Sequence, residues 1–288
     1  MSQALKAIID IGSNSIVLVV AQREGLAWKT LGRRKFVAKL GAKINSDNQL
    51  SSEAQAGLSE LLRDYINSAR QFAVEPKIFA TASLRNVRNG GAVAKALSEQ
   101  LETPVRILSE LEEAGFSWRG VWAAEGRPAE PMVVVDVGGG SIEVAWGDLG
   151  AISGFISIAT GAVRLAQDSD PLPAQSISGM RQRLDRMLPP LSADAPKVDT
   201  AYACSGSIRR LCRMAGTEEL SSEALNELVD LLISKPLRRD RLSLTGMDPD
   251  RVDTLLPAAL IHQALASNYG WKAYRLSSGG LRWGLLEA

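Results

Sequence analysis

Residues 132–146 read Met132-Val-Val-Val-Asp136-Val-Gly-Gly-Gly-Ser141-Ile-Glu143-Val-Ala-Trp146, so that two apolar runs flank a polar turn rich in glycine. β-Branched runs on either side of such a turn are typical of a β-hairpin. The same layout occurs earlier, around the turn Asp10-Ile-Gly-Ser-Asn-Ser15. Asp10 and Asp136 are 126 residues apart, which is the length of a domain and not of a solenoid repeat. The sequence therefore predicts two related α/β units.

Helical and strand-like patterns alternate around these two hairpins. Apolar residues spaced three and four apart predict a helix over 52–72, and a capping box of Ser109 and Glu112 predicts the start of another helix at 109. Further helices are predicted over 91–101, 176–187, 220–233 and 251–266, after 207 and after 280. Strands are predicted over 77–80, 104–108, 151–159, 198–204 and 273–276. This alternation predicts mixed or parallel sheets covered by helices.

The composition excludes several classes of function. The chain has 288 residues, and its 33 Lys plus Arg nearly balance 32 Asp plus Glu, so no overall field attracts nucleic acid or an anionic membrane. Two Cys and one His exclude a zinc site of the Cys/His type and a disulfide framework. We interpret Cys204 and Cys212 as packing residues, and His262, which lies in an apolar helix, as a core or surface histidine without a chemical role. Because no run of 18 apolar residues and no signal peptide is present, we expect a cytoplasmic protein without nucleic-acid or membrane partners.

Small polar loops follow directly on several predicted strands. Because strand ends of an open α/β sheet share one edge, the backbone N–H groups of such loops can converge on a phosphate group. Glycine lets the backbone approach a phosphoryl oxygen closely, and Ser, Thr and Asn add neutral donors. The loops span residues 10–15, 81–85, 136–141, 205–207 and 277–280.

Three carboxylates, Asp10, Asp136 and Glu143, lie at or beside these loops. A carboxylate next to a phosphate is unfavourable unless a cation lies between them. Magnesium prefers oxygen ligands and needs only one or two carboxylates beside the phosphate, so we expect Mg²⁺ (or Mn²⁺). Glu143 follows Asp136 by seven residues, a spacing at which a hairpin can bring both toward one mouth. The alternative is that Glu143 is a surface residue of an edge strand.

Seven motifs along the chain occur in the order of one family. They are Asp10-Ile-Gly-Ser-Asn-Ser15, Ala80-Thr-Ala-Ser-Leu-Arg85 with Asn89, Glu112-Glu-Ala114 with Gly120-Val121, Asp136-Val-Gly-Gly-Gly-Ser-Ile-Glu143, Gly161-Ala-Val-Arg164, Ser205-Gly-Ser-Ile-Arg209 and Gly279-Gly-Leu-Arg-Trp-Gly-Leu-Leu286. From residue 7 to its end the chain resembles the exopolyphosphatase/guanosine pentaphosphate phosphohydrolase family. The resemblance implies an actin-like (ribonuclease H-like) duplicated two-domain α/β fold with the site in an interdomain cleft. The first domain would comprise residues 1–127 and about 279–288, the second 128–278, with residues 127–131 as linker.

The resemblance also implies roles for individual residues. Glu113 is similar to the family's catalytic base, and Arg85 is expected to stabilise charge on the transferred phosphoryl group. Asp136 and Glu143 are similar to its metal-site carboxylates. The positions that match its phosphate-binding loops are Asp10, Gly12, Ser13, Asn14, Ser15, Thr81, Ser83, Gly138, Gly139, Gly140, Ser141, Gly206 and Ser207. In our interpretation Glu112 already caps its helix, which leaves Glu113 freer to act chemically.

The expected reaction is metal-assisted, in-line attack of water on the terminal phosphate of inorganic polyphosphate, with guanosine pentaphosphate (pppGpp) as the alternative substrate. The family also implies a homodimer. Two other functions stay open. A sugar or acid kinase on the same fold would need an acceptor pocket and a catalytic Asp, and an actin-like sensor would bind nucleotide without hydrolysing it.

Two departures from the family pattern bear on how a polyanion would approach and bind. Glu110 stands where the family usually has Gly, which adds a third carboxylate to that turn, and the chain lacks the C-terminal histidine-aspartate extension of longer members. We therefore expect a short form of the family that binds long polyphosphate chains less tightly. Basic clusters at 33–43 and 209–213 are interpreted either as solvated faces or as residues that steer a polyanion.

Overall fold

The computed structural model describes residues 4–166 and 170–288, which form two mixed β-sheets covered by helices. The first sheet has the order β3-β2-β1-β4-β5. Its strands are β1 Leu5–Ile11, β2 Ile16–Glu24, β3 Ala27–Phe36, β4 Pro76–Ala80 and β5 Val105–Ile107. β1, β2 and β3 are antiparallel, whereas β4 and β5 continue parallel to β1.

The second sheet repeats this topology. Its order is β10-β11-β9-β6-β7-β8, with β6 Met132–Val137, β7 Ile142–Asp148, β8 Ala151–Ile158, β9 Thr200–Ala203, β10 Glu219–Ser221 and β11 Ala273–Leu276. β6, β7 and β8 are antiparallel, β9 and β11 run parallel to β6, and β10 adds an antiparallel edge. The hairpin β6–β7 thus occupies the place that β1–β2 has in the first sheet. This duplication confirms the predicted actin-like architecture.

Helices cover both sheets. In the first part of the chain they are α1 Ser52–Arg70, α2 Ala82–Arg85, α3 Gly90–Leu101 and α4 Glu110–Ala124, with a short 3₁₀ helix at Leu40–Ala42. The second part contains α5 Ala162–Leu165, α6 Ala174–Met187, α7 Gly206–Ala215, α8 Ser222–Ile233, α9 Arg238–Leu242, α10 Leu255–Tyr269 and α11 Leu281–Glu287, with a 3₁₀ helix at Pro249–Arg251. None of the described helices is long and apolar enough to cross a bilayer. The predicted capping box is present at the start of α4, where Ser109 and Glu112 bond each other's backbone.

α4 and α11 link the two halves of the molecule. α4 packs on the second sheet through Ala114 and Trp118, while Leu285 and Leu286 of α11 pack on the first sheet. The two helices cross at glycines: a Cβ at Gly120 would collide with the backbone of Gly280 and Gly284. This close approach joins the halves along one side of the cleft. The domain boundaries drawn from the sequence stay a prediction.

Some predicted elements differ from the structure, mostly where tertiary pairing overrides local pattern. β3 was not predicted, because its exposed, basic sequence lacks an apolar face and it forms by pairing with β2. The predicted helix over 220–233 begins at Ser222, since residues 219–221 pair with β11. The predicted helix over 251–266 begins only at Leu255, after the 3₁₀ turn at 249–251, and it continues to Tyr269. The loop at 81–85 contains the single turn of α2.

Candidate active site

Loops from both halves of the molecule line one cavity of about 520 Å³. The loops follow strands β1, β4, β6 and β9, as expected from the shared edge of strand ends. The predicted site residues that line the cavity are Asp10, Gly12, Ser13, Asn14, Ser15, Thr81, Glu113, Asp136, Gly138, Gly139, Gly140, Ser141, Gly206 and Ser207. Most of the predicted site residues therefore line this cavity.

The two repeated hairpin turns have the same geometry and face each other. The amide of Gly12 donates to the carbonyl of Ser15 over 3.1 Å, and the amide of Gly138 donates to the carbonyl of Ser141 over 3.0 Å. Across the cleft the turns are in contact, because a Cβ at Gly140 would collide with Oγ of Ser13. A side chain at 140 would therefore require the Ser13 hydroxyl to move.

Polar groups without a protein partner point to a bound ligand. Both side-chain polar atoms, Nδ2 and Oδ1, of Asn14 are buried and have no hydrogen-bond partner among the described residues. On the opposite wall α7 begins at Gly206, with Ser205 as its N-cap. The N-terminus of a helix attracts anions through its free N–H groups and its dipole. Both features suit a phosphate group in the cavity.

Asp136 and Glu143 lie directly opposite each other on the antiparallel strands β6 and β7. Residues paired in this way point their side chains to the same face of the sheet. The spacing of seven residues is therefore the consequence of the four-residue turn 138–141, which is flanked first by the pair Val137–Ile142 and then by the pair Asp136–Glu143. Asp136 reaches the cavity wall, whereas Glu143 is 2% exposed and lies behind it.

Arg85 connects two of the buried carboxylates. Its Nη1 donates to Oε2 of Glu113 over 2.5 Å, and its Nη2 lies 3.8 Å from Oε1 of Glu143. Nε and Nη2 of Arg85 are buried without a hydrogen-bond partner among the described residues. Arg85 lies behind the cavity, where it orients Glu113 and offsets its charge.

Burial raises the pKa of all four carboxylates at the site. For Asp10 the ion pair with Arg282 partly opposes this effect, and for Asp136 the hydrogen bond from Ser117 does. Burial raises the pKa of Glu113 to about 7, against the influence of Arg85. Burial, and then repulsion by Glu113 and Asp136, raise the pKa of Glu143 well above its usual range. The neighbouring arginines thus do not fully balance the negative charge of the four carboxylates.

The structure places two further residues at the site, Ser117 and Arg282, for which the sequence alone indicates no role. Oγ of Ser117 donates a 3.0 Å hydrogen bond to Oδ2 of Asp136, and Nη1 of Arg282 lies 2.9 Å from Oδ2 of Asp10. Ser117 is four residues after Glu113 and shares its face of α4, a spacing that the sequence displays. Arg282 lies in the C-terminal Gly-Gly-Leu-Arg motif, but nothing in the sequence indicates its partner.

Ser83 lies elsewhere than the prediction places it. Its hydroxyl donates a 2.5 Å hydrogen bond to the carbonyl of Ile11, and it does not line the cavity. The cause is the turn of α2, which directs Ser83 back toward β1. In this structure Ser83 ties the 81–85 segment to the first hairpin.

The charges of the site fit a divalent cation. Four carboxylates, Asp10, Glu113, Asp136 and Glu143, share the two cations Arg85 and Arg282. No three Asp, Glu, His or Cys residues of the described part of the chain are arranged to hold a metal by themselves. A metal held by one or two carboxylates, with phosphate oxygens and water as the other ligands, fits this arrangement.

The chain matches one protein family and is similar to solved structures of that family. The family model described as the Ppx/GppA phosphatase family matches residues 18–287. An exopolyphosphatase from Cytophaga hutchinsonii is similar in structure, with a TM-score of 0.87, 22% identity, and coverage of 99% of this chain and 97% of that one. An Aquifex aeolicus member of the Ppx/GppA family has a TM-score of 0.80 and 21% identity, covering 99% of this chain and 96% of that one. At these identities the two structures establish the shared fold.

Proposed function

Because the chain belongs to the Ppx/GppA phosphatase family, we propose that it is an exopolyphosphatase, which hydrolyses the terminal phosphate of inorganic polyphosphate. The observation that carries the proposal is the placement of Glu113. Its carboxylate is held by Arg85 at the wall of a cavity formed by two facing glycine-rich turns. A carboxylate with a pKa of about 7 is suited to accept a proton from water near neutral pH.

The remaining groups would position the substrate. The backbone N–H groups of residues 12–15 and 138–141 come from facing turns, so they can surround a terminal phosphoryl group from two sides. Phosphoryl transfer needs positioning and charge stabilisation more than covalent participation. The oxygen of water forms a bond to phosphorus, its proton goes to Glu113, and the bridging P–O bond breaks with its electron pair on the shortened chain. Arg85 keeps the Glu113 carboxylate oriented toward the cavity.

We further propose that Mg²⁺ or Mn²⁺ binds beside Asp136, with Glu143 contributing charge from behind. When bound, such an ion neutralises phosphate oxygens and stabilises the charge of the leaving group. Its proposed ligation is testable without an activity assay. Mn²⁺ binding followed by electron paramagnetic resonance should weaken in an Asp136→Asn variant, and unchanged Mn²⁺ affinity would contradict the assignment.

The function itself is tested by phosphate release from polyphosphate in the presence of Mg²⁺, with no acceptor added. Release under these conditions is expected for an exopolyphosphatase. Loss of the terminal phosphate of ATP only when a sugar or acid is added would indicate a kinase, and binding without turnover would indicate a sensor. A parallel assay with pppGpp compares the two phosphoanhydride substrates directly.

A further inference from the structure

Several arginines line the cavity beyond the facing turns, and they differ in whether a carboxylate neutralises them. Arg210 pairs with Asp248 over 2.9 Å, and Arg282 pairs with Asp10. Four further arginines line the same cavity, and none of them forms an ion pair with a carboxylate of the described residues: Arg33, Arg209, Arg213 and Arg251. Four arginines without a carboxylate partner in one cavity indicate a place for an anion, and Arg33 and Arg209 extend into it from different halves of the molecule.

Arg33 is directed into the cleft by the register of the first sheet. It is paired with Val19 of β2, and both residues line the cavity. Its neighbour Arg34 lies on the other face of β3, where Nη2 pairs with Oδ2 of Asp64 over 2.8 Å. Adjacent residues of a strand point to opposite faces. Arg33 and Arg34 therefore differ in environment while they share charge, size and strand.

Arg209 approaches the same space from the other half of the molecule. It lies on the first turn of α7, and its Nη2 donates a 3.1 Å hydrogen bond to the carbonyl of Ser277, which fixes its position. Burial lowers the pKa of Arg33, and repulsion by Arg282 and Arg209 lowers it further. Both guanidinium groups line the same cavity, so their charges repel one another. An anion bound between Arg33 and Arg209 would remove that repulsion.

We infer that Arg33 and Arg209 form a second anion subsite, which binds phosphates of the substrate beyond the scissile bond. This inference rests on the proposed function and favours linear polyphosphates over pppGpp as the substrate class. Arginine binds phosphate through charge-assisted, bidentate hydrogen bonds. A polyphosphate chain continues as an uninterrupted anion past the bond that breaks, whereas in pppGpp the guanosine separates the 5′ phosphates from the 3′-diphosphate. The subsite spans both halves, so the same phosphates also hold the cleft together.

The test compares Arg33→Met and Arg209→Met with Arg34→Met, the matched control on the opposite face of β3. For long-chain polyphosphate the KM of each cavity variant should rise about tenfold or more, as expected for one lost arginine–phosphate contact. Their kcat should stay within about twofold of the wild type, because the subsite does not touch the reacting phosphorus. The KM of Arg34→Met should match the wild type, and Arg33→Lys should recover part of the loss. The KM for pppGpp should rise less than that for polyphosphate.

Equal KM values for Arg33→Met, Arg34→Met and the wild type would overturn the subsite, and so would a fall in kcat at unchanged KM. Thermal unfolding shows whether each variant is folded. Calorimetric binding of polyphosphate separates this inference from the proposed function. If the wild type binds polyphosphate but releases no phosphate, the proposed function fails. Weaker binding of polyphosphate by Arg33→Met than by Arg34→Met would still support the subsite in that case. Equal binding by the two variants would overturn the subsite.

Discussion

Arg85 and Glu113 form an ion pair of 2.5 Å in which the two side chains are only 13% and 8% exposed. Water screens such a pair weakly, so each partner strongly influences the other. The pair places a carboxylate with a raised pKa at the cavity wall, with a cation fixed on its far side. Predictions about turnover and about pH both follow from this contact.

Replacing Glu113 by Gln removes the proton acceptor while keeping the shape of the side chain. We expect kcat on polyphosphate to fall by about 10²–10⁴-fold, with KM changed little, because general-base catalysis acts on the transition state. Glu112→Gln is the matched control, since Glu112 is the partly exposed capping-box residue that precedes Glu113 in the sequence. Steady-state kinetics of both variants check this. A Glu113→Gln enzyme with normal kcat would remove Glu113 from the mechanism.

Arg85 should set the pH at which the enzyme becomes active. If Glu113 must be deprotonated, kcat/KM should rise with pH through about pH 7 and level off above it. Arg85 lowers the pKa of Glu113, so in Arg85→Met the rise of kcat/KM should occur at higher pH. In Arg85→Lys the rise should shift less. pH profiles of kcat/KM on polyphosphate measure the shift. If kcat/KM rises at the same pH in Arg85→Met as in the wild type, a group other than Glu113 causes the pH dependence.

Ser117 is expected to position Asp136. Ser117→Ala removes the hydrogen bond to Oδ2 of Asp136 and should raise the pKa of that carboxyl further. Loss of a residue that orients a metal ligand typically costs about 10–100-fold in metal affinity or activity. We expect the Mg²⁺ concentration for half-maximal activity to increase by about that factor, whereas a purely structural role would leave it unchanged. Mg²⁺ titrations of wild type and variant distinguish the two.

The crossing of α4 and α11 should tolerate no side chain at Gly120. A methyl group there would meet the backbone of Gly280 and Gly284, and such overpacking typically costs about 1–3 kcal/mol. In contrast, Gly57 lies on the exposed face of α1 with nothing near its Cβ position, so Gly57→Ala should stabilise by about 0.5–1 kcal/mol. Denaturant unfolding of the two variants tests the opposite signs. A Gly120→Ala protein as stable as the wild type would show that the crossing is loose.

The sequence predicts those parts of the molecule that follow from local pattern. The two hairpins and the capping box at Ser109 are of this kind, since each depends on a short run of residues. Contacts set by packing between distant elements were not predictable. Ser83 turns toward β1 because α2 forms there, and the Arg282–Asp10 pair joins residues 272 positions apart. The edge strand β3 likewise depends on β2 for its formation.

His262, the one histidine of the sequence, should make stability depend on pH. It is fully buried on α10, its ring contacts Tyr274 edge-on, and burial lowers its pKa to about 3. Between pH 6.5 and 3 the unfolded chain therefore binds a proton at this residue that the folded chain does not. Stability must fall as the pH decreases through that window, by about 2 kcal/mol at pH 5 from this residue.

A His262→Leu variant isolates this contribution, because the buried carboxylates titrate alike in both proteins. Their raised pKa values act in the opposite direction, since the folded state holds their protons more tightly. The difference in unfolding free energy between variant and wild type should thus grow in favour of the variant from pH 7 to pH 5. Urea unfolding at several pH values measures it. A difference that does not change with pH would mean that His262 is protonated inside the fold or is exposed to water.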